Sequence, residues 1–375
     1  MRRLFLTAFL AAACSTPLLA QGALSLQGFG YPTGQLGTRA AGMAGATAET
    51  DATSPINPGA LPGAGRSNFS FQIDPEFRQI TVGGRTVNTK TTRFPVISMG
   101  TKAGTRGFLG VSFSTLLDRT WDASYRDTVL VAGDAVGSRV STTVRGAIND
   151  ARVAYAWQFS ERLQAGLAFS AYTGANRMSL SRTFDDTSTF GSLSQNMTLS
   201  YGGSAVSAGL LSRPAAHVYV AASLRLGGAM KTRSDDSVAT KGNAPNRYGL
   251  SVTYDGIPGS QLVARFSHEG WSRMRSLGSA ALDVRDANDI SFGAEVAGPK
   301  WQGMPTQVRL GARTRGLPFG WNGHAVSERT LAIGGGATFA RGWASLDVSL
   351  QRNDRKAGGM TEKGTILSVG LTVRP

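Results

Sequence analysis

From about residue 140 to its end, the chain alternates between tight turns and longer polar loops. We expect tight turns at residues 160–161 and 341–342 and long loops at residues 234–244 and 272–286. Consecutive antiparallel strands place alternate connections at opposite ends of the sheet, so this rhythm puts the short turns at one end and the long loops at the other. Bacterial outer-membrane barrels have short periplasmic turns and longer extracellular loops. The pattern therefore predicts an all-β fold, a transmembrane antiparallel β-barrel.

The segments between the turns alternate apolar and polar side chains, as a strand with one apolar face does. Residues 344–351 show it well, with an apolar set on one face (Ala344, Leu346, Val348, Leu350) and a polar set on the other (Ser345, Asp347, Ser349, Gln351). We expect about 14 strands within residues 66–375, an even number that leaves both ends on the periplasmic side. The expected strands are 66–80, 92–102, 106–118, 141–159, 162–184, 193–213, 217–234, 245–255, 260–271, 287–298, 306–319, 329–341, 344–354 and 364–375, with a long polar loop at 119–140 that could hold a further hairpin.

The alternation also predicts which face meets lipid. In a membrane barrel the apolar face points outward, and a charge on that face at mid-membrane costs about 2–4 kcal/mol. Six charged residues share their face with small or polar neighbours and should point into the lumen: Arg225, Arg265, Glu295, Arg309, Arg313 and Asp347. They could form salt bridges that stiffen the barrel, or some could contact a passing solute.

Residues 1–20 are typical of a removable export signal. Arg2 and Arg3 precede a short apolar stretch, and Ala20 is a plausible cleavage point, although a buried N-terminal helix is the alternative. The stretch is shorter than the roughly 20 residues that span a bilayer. Cys14 is the only cysteine, and it could be a lipoprotein acceptor. If cleavage follows Ala20, the mature chain has no thiol.

Charge and composition exclude other classes. After residue 20 no apolar run is long enough for a membrane helix. The formal charge is +15, and removal of residues 1–20 takes away Arg2 and Arg3 and no acid. The remaining basic residues are scattered arginines rather than a basic helix, so we expect no nucleic-acid partner. Anionic lipids, lipopolysaccharide phosphates or an anionic substrate could supply the counter-charge.

Catalysis has no candidate site. The three histidines, His217, His268 and His324, lie far apart in the sequence and show no metal-ligand spacing. No G-x-S-x-G elbow is present. We therefore expect no enzymatic activity, no metal and no cofactor.

Residues 21–65 differ from the rest of the chain because they are rich in Gly, Ala, Pro and Thr. They favour a short small-residue helix at about 38–48, and Pro55 and Pro58 would end any helix. Such a segment could fold into the lumen as a plug, or it could form a disordered periplasmic tail. Its low charge favours the plug.

One part of this segment carries a recognisable motif. Arg39, Gly42, Met43, Gly45 and Ala46 are followed by Asp51 and then by Asn57, Pro58 and Leu61. This arrangement resembles the N-terminal hatch of the FadL family of outer-membrane long-chain fatty-acid transporters. The C-terminal third is also similar to that family, from DISFGAEV through VRLGARTRGLPF and ERTLAIGGGATF to ASLDVSL and GTILSVGLTV.

The resemblance implies a 14-stranded barrel closed by a hatch, here residues 21–65 with Gly42, Met43, Asn57, Pro58 and Leu61 as hatch residues. It implies passive uptake of hydrophobic, fatty-acid-like molecules, with exit into the membrane through a gap beside a kinked strand. Hatch movement would gate that passage. No substrate-contacting residue matches a motif. Parity and charge alone suggest Arg309 and Arg313 as partners of a substrate carboxylate.

The chain departs from the family pattern at several points. Gly59 stands where Ala is commoner, the chain ends in Arg374-Pro375 rather than an aromatic residue, and the loops are shorter. The same hatch pattern resembles a barrel branch that serves as a carrier component in protein secretion, so that role, or a structural one, stays open. We expect a monomer in the cell outer membrane. Its partners would be outer-membrane lipids and lipopolysaccharide, a hydrophobic small molecule and the barrel assembly machinery.

Overall fold

The computed structural model describes residues 20–21, 30–82, 85–131, 134–186, 190–234, 237–277, 283–321 and 323–375. The expected signal sequence and Cys14 lie outside these residues, apart from Ala20. The proposed cleavage point therefore stays a prediction.

The described residues are almost all in strands. In chain order these are β1 Ala20–Gln21, β2 Tyr31–Pro32, β3 Asn68–Val82, β4 Arg85–Arg93, β5 Val96–Ala103, β6 Gly107–Asp118, β7 Trp121–Val131, β8 Asp134–Ser160, β9 Leu163–Phe184, β10 Leu193–Ala215, β11 Val218–Ser234, β12 Ser237–Asn243, β13 Asn246–Tyr254, β14 Ser260–Gly270, β15 Ala287–Ala297, β16 Thr306–Trp321, β17 His324–Phe339, β18 Ala344–Ala357 and β19 Met360–Val373.

The strands from β3 onward form one closed antiparallel barrel of 14 strands. The 14 positions follow one another around the ring in chain order, and β19 pairs with β3 to close it. Three positions in the ring are each occupied by two shorter strands separated by a break, namely β4 with β5, β6 with β7, and β12 with β13. The expected fold class and strand number are confirmed.

Residues 119–140 form the further hairpin that the sequence left open rather than a long loop. Most of them belong to β7 and the start of β8, which pair as a hairpin from Trp121↔Val144 to Val131↔Asp134. The second barrel strand also begins earlier than expected, at Arg85. The expected long loop at residues 234–244 is wrong, because Ser237–Asn243 is strand β12 and pairs with β11. β4 carries mostly polar residues on both faces, so it lacks an apolar alternation. β7 does alternate, but its exposed face is polar (Ser124, Arg126, Thr128) and its half-buried face is apolar (Trp121, Tyr125, Val129), the reverse of strands such as β18.

The facing of the strands follows the prediction. Leu346 and Leu350 on β18 are exposed on the outside, whereas Arg225, Arg265 and Arg309 are 5%, 5% and 4% exposed in the lumen. Because the exterior is an apolar band around a closed sheet, the barrel satisfies the condition for spanning a bilayer with strands. None of the helices in the described part of the chain is long and apolar enough to cross a membrane.

Residues 30–65, the described part of the hatch, lie inside the barrel and confirm the plug. They contain helix α1 at Thr38–Gly42 and a 3₁₀ helix at Pro58–Ala64. Ala40, Met43 and Ala60 are each 0% exposed. The helix is shorter than the expected 38–48: it ends at Gly42, and Ala44 and Gly45 follow with φ values of +51° and +88°, outside helical geometry.

Candidate functional site in the lumen

The hatch is seated against luminal glycines. Met43 packs against Gly311 of β16, and Gly42 packs against Gly334 of β17. A Cβ added at Gly311 would be 2.2 Å from the carbonyl carbon of Met43. One added at Gly334 would be 2.9 Å from the Cα of Gly42. No side chain fits at either position, so the absence of a Cβ lets the hatch backbone reach the wall.

Asn57 fastens the second half of the hatch. Its Oδ1 accepts a hydrogen bond from the Gly59 N–H at 2.9 Å and caps the 3₁₀ helix. Its Nδ2 donates to the carbonyl oxygens of Glu49 at 2.8 Å and of Leu210 in β10 at 3.1 Å. A Cβ at Gly59 would be 2.8 Å from the Gly209 carbonyl oxygen, which explains the departure from Ala at this position.

The remaining two hatch residues also touch the wall. A Cβ at Gly166 of β9 would be 2.7 Å from the Pro58 carbonyl group, and one at Gly110 of β6 would be 2.8 Å from a methyl group of Leu61. The structure therefore brings Gly42, Met43, Asn57, Pro58 and Leu61 to the hatch–wall contact. Their part in gating stays a prediction.

Glu49 is a buried hatch carboxylate that sequence reasoning did not single out. It is 0% exposed, and its Oε1 accepts hydrogen bonds from Arg247 and, at 3.3 Å, from Arg265. Burial alone would raise the pKa of Glu49, but the two guanidinium groups outweigh it and hold the pKa below its usual range. An acid in an alanine-rich segment, expected to face luminal arginines, was the available signal.

Tyr31 ties the start of the hatch to the opposite wall. Its ring lies within 4.9, 5.1 and 4.6 Å of the guanidinium carbons of Arg93, Arg315 and Arg355. Its hydroxyl donates to Glu328 Oε2 at 2.9 Å and accepts from Arg315 Nη2 at 2.5 Å. We call Tyr31 with these three arginines and Glu328 the tyrosine cage. An aromatic ring over several desolvated cations is a favourable arrangement.

The cage arginines are also held by wall carboxylates. Arg355 pairs with Glu328 at 2.6 Å, with Glu76 at 3.0 Å and with Glu362. Arg315 pairs with Glu328 at 2.6 Å. The arginines therefore keep their charge partners whether or not Tyr31 is present, and Tyr31 is the link between this network and the hatch.

The wall is interrupted beside the cage. The pairing of β5 with β6 ends at Val96↔Ser114, followed by a bond from the Thr115 N–H to the Pro95 carbonyl oxygen at 3.0 Å. Beyond this point β4 pairs with β3 and β7 pairs with β8, and within the described residues β4 and β7 do not pair with each other. Pro95 has no N–H to continue a ladder. We call the unpaired region between β4 and β7 the wall break.

The hatch covers one edge of the wall break. Tyr31 pairs with Asp118 and Pro32 with Leu117 on the end of β6. At the base of the break, Arg93 Nε lies 2.6 Å from Asp118 Oδ2 and joins the two edges. Ala20–Gln21 pairs with Asp122–Ala123 on the free edge of β7. The N-terminal segment therefore forms antiparallel pairs with the edges of β6 and β7 where, in the described part of the chain, no neighbouring wall strand is paired.

The long-loop half of the lumen is apolar next to this break. A cluster of buried side chains from many strands and from the 3₁₀ helix Trp271–Leu277 fills it. We call it the apolar luminal cluster: Tyr31, Ile80, Leu116, Leu117, Ile148, Tyr172, Tyr201, Ala205, Met230, Ala244, Trp271, Met274, Leu277, Val284, Ala287, Leu317, Phe319, Val326, Ala357 and Met360. Leu116 and Leu117 belong both to this cluster and to the edge of the wall break.

The lumen beneath the hatch is polar. A cavity of about 180 Å³ lies between α1, β3 and β19, and its lining includes Arg39, Asp51, Gln72 and Asp347. Arg39 itself pairs with Glu295 at 2.7 Å. Apolar surface is therefore continuous toward the wall break rather than toward the short-turn end.

The two residues predicted to bind a substrate carboxylate already have carboxylate partners. Arg309 pairs with Glu295 at 2.5 Å and with Asp347, and Arg313 forms two hydrogen bonds with Asp289, at 2.9 and 2.6 Å. Both point into the lumen, as the parity predicted. The salt-bridge role is present in the structure, and the substrate role stays a prediction.

Several solved structures have the same overall fold as this barrel. A FadL homologue from Pseudomonas aeruginosa superposes with a TM-score of 0.66 at 10% identity, covering 92% of this chain and 99% of that one. The CymD monoaromatic hydrocarbon channel gives 0.58 at 14% identity, covering 91% and 97%. The toluene transporter TodX of P. putida gives 0.58 at 11% identity, covering 91% and 99%. No protein-family model and no curated protein sequence matches the chain.

At these identities the likeness shows the fold. The class that the fold of this chain defines is a 14-stranded antiparallel membrane barrel with an N-terminal segment inside it. The likeness covers nearly the whole length of each of the three solved structures, so the architecture is shared from end to end rather than over a few strands.

Proposed function

We propose that this chain is an outer-membrane channel for the passive uptake of hydrophobic small molecules. The observation that carries the proposal is the position of the wall break. It opens beside the apolar luminal cluster through Leu116 and Leu117, and hatch residues Tyr31 and Pro32 cover its edge. A hydrophobic solute would enter from the long-loop end, pass along the cluster and leave sideways into the bilayer.

In this proposal the hatch gates the exit. Release of Tyr31 and Pro32 from β6 would uncover the wall break, while the polar cavity around Arg39 and Asp51 disfavours passage of an apolar solute straight through the barrel. The solved neighbours named as a monoaromatic hydrocarbon channel and a toluene transporter support this solute class. A fatty-acid carboxylate at Arg309 or Arg313 would have to share or displace Glu295, Asp347 or Asp289. The proposed activity is transport of the solute without chemical change.

A reversible cross-link tests the gate. Pro32 and Leu117 are directly paired across an antiparallel ladder, a separation compatible with a disulfide. In the variant P32C/L117C, we expect uptake of a fluorescent fatty acid or of toluene into proteoliposomes to stop on oxidation and to recover on reduction. The control T81C/T86C links a directly paired site in the β3–β4 hairpin and should leave uptake unchanged.

The same experiment separates the alternatives. Uptake that continues with P32C/L117C fully oxidised would refute the hatch-covered exit. Uptake that is absent in the wild-type protein and in a variant lacking residues 21–62, together with exported proteins recovered on a pull-down, would instead support a secretion carrier.

A further inference from the structure

A cationic groove lies on the outer face of the wall, away from the lumen. Its lining includes Lys90 on β4, Arg352 on β18 and Lys363 on β19, around the ring of Phe77 on β3. All four side chains are exposed. The cross-strand registers Arg352↔Thr365, Thr365↔Phe77 and Phe77↔Lys90 place three of these residues in one row.

The groove sits where the exterior changes from apolar to polar. Along β18 the outward positions run from Leu350, 46% exposed, to Arg352, and along β17 they run from Leu331, 67% exposed, to Arg329. This change occurs on the long-loop side of the apolar band. In an outer membrane that height is the headgroup region of the outer leaflet.

The cations of the groove have no carboxylate partner. Within the described residues, no acidic oxygen lies within 4.0 Å of the charged groups of Lys90, Arg352 or Lys363. Arg352 donates to the Thr365 hydroxyl at 2.9 Å. Asp354 is the neighbouring outward acid, opposite Lys363 in the ladder, and it leaves the groove with a net positive charge.

Two other cross-strand pairs near this end of the barrel carry like charges. Arg126 lies directly opposite Arg139, and Lys231 lies directly opposite Lys241. All four side chains are exposed. Directly opposed like charges destabilise a sheet unless their surroundings supply counter-charge. The outer face at this height is therefore suited to an anionic layer.

We propose that the groove of Lys90, Arg352 and Lys363 binds the phosphate groups of a phosphorylated outer-leaflet glycolipid of the lipopolysaccharide type. The three cations would contact the phosphates, and Phe77 would pack against the first methylenes of an acyl chain. The proposal requires the barrel to lie in an outer membrane and is independent of what the lumen carries.

Native mass spectrometry of the full-length protein in detergent, titrated with bisphosphorylated lipid A, tests the site. Each Lys or Arg near an anionic lipid surface contributes about 1 kcal/mol, about a fivefold change in affinity. We therefore expect the variant K90Q/R352Q/K363Q to bind lipid A roughly a hundredfold more weakly. The control K102Q/R162Q/K300Q removes the same charges at the short-turn end, where all three residues are exposed, and should bind like wild type.

Two further probes identify the ligand chemistry. Dephosphorylated lipid A should bind the wild-type protein as weakly as bisphosphorylated lipid A binds the groove variant. Inorganic phosphate should compete only at concentrations far above that of lipid A. Equal losses in the groove and control variants, unchanged binding of dephosphorylated lipid A, or phosphate binding as tight as lipid A binding would each overturn the proposal. Thermal unfolding of both variants establishes that they are folded.

Discussion

Replacing Tyr31 by Phe isolates the contribution of the tyrosine cage to hatch closure. The substitution removes only the hydroxyl, which donates to Glu328 at 2.9 Å and accepts from Arg315. The ion pairs of Glu328 with Arg315 and Arg355, both at 2.6 Å, stay in place. The barrel wall should therefore keep its stability while the hatch loses one tie.

The size of the effect follows from the partners of the hydroxyl. Hydrogen bonds to charged groups contribute about 1.5–3 kcal/mol, and each 1.4 kcal/mol is about a tenfold change in an equilibrium. We expect Tyr31→Phe to raise the open population of the hatch by roughly 10- to 100-fold. Tyr31→Leu also removes the ring from three guanidinium groups, contacts worth about 2 kcal/mol each when desolvated, so its effect should be larger still.

Hydrogen exchange of residues 30–65, followed by mass spectrometry in lipid nanodiscs, measures that population directly. Protection should fall in the order wild type, Tyr31→Phe, Tyr31→Leu, while the strands β14 to β18 keep their protection. Tyr248→Phe is the matched control, because Tyr248 is 48% exposed on the outer wall. Equal hatch protection in Tyr31→Phe and wild type would refute the reasoning that this hydroxyl holds the hatch.

Three other predictions concern the lumen. The pKa of Glu49 is lowered in the folded protein because two wall arginines outweigh the effect of its burial. Its contribution to hatch docking is therefore complete above the ordinary glutamate pKa of about 4.3 and is lost as the pH falls below that value. Hatch protection should drop there in wild type and should drop less in Glu49→Gln, in which the Arg39–Glu295 ion pair is still sensitive to acid. Gly311→Val places a Cβ 2.2 Å from the Met43 carbonyl carbon, so the hatch should become protease-sensitive, whereas Val at Gly335, which has room for a Cβ, should not have this effect. If Arg309 and Arg313 receive a substrate carboxylate, R309Q/R313Q should slow fatty-acid uptake and spare toluene uptake; equal slowing of both would leave these arginines a structural role alone.

The barrel wall was predictable because its physics is repetitive. Within the apolar band, each strand has one face toward lipid and one toward the lumen. Alternation therefore identifies both the strand and its orientation, as in β18, where Leu346, Val348 and Leu350 alternate with Ser345, Asp347 and Ser349. The segment that became β7 was assigned to a loop although it also alternates, with Trp121, Tyr125 and Val129 on one face and Ser124, Arg126 and Thr128 on the other. Its exposed face is the polar one, the reverse of the lipid-facing pattern that was used to find the other strands.

The contacts of the hatch were less accessible from the sequence. Gly42, Met43, Asn57, Pro58 and Leu61 came from a motif, and the structure brings all five to the wall. Glu49 and Tyr31 came from neither motif nor periodicity. Their partners lie far along the chain, for example 198 residues from Glu49 to Arg247 and 297 residues from Tyr31 to Glu328, and only the closed ring brings them together.

The wall break shows the same division between local and long-range information. Pro95 indicates from the sequence alone that strand pairing is interrupted, because proline has no N–H to donate to a neighbouring strand. What the interruption exposes depends on β7, on the bulge at Leu116 and on the docking of Tyr31. A proline in a strand indicates that the pairing changes at that point. Whether the wall then bends or opens depends on residues that are distant in the sequence and adjacent only in the folded barrel.

Photolabelling with an aliphatic diazirine solute tests the central claim most directly. The solute is loaded from the long-loop side of the protein in nanodiscs and the labelled residues are mapped by mass spectrometry. The account predicts labels on the apolar luminal cluster and at the edges of the wall break, at Phe94, Leu116 and Leu117, with more label at the edges in Tyr31→Leu. Label instead along the short-turn mouth, around Arg39 and Tyr219, with the edges of the break unlabelled, would contradict it.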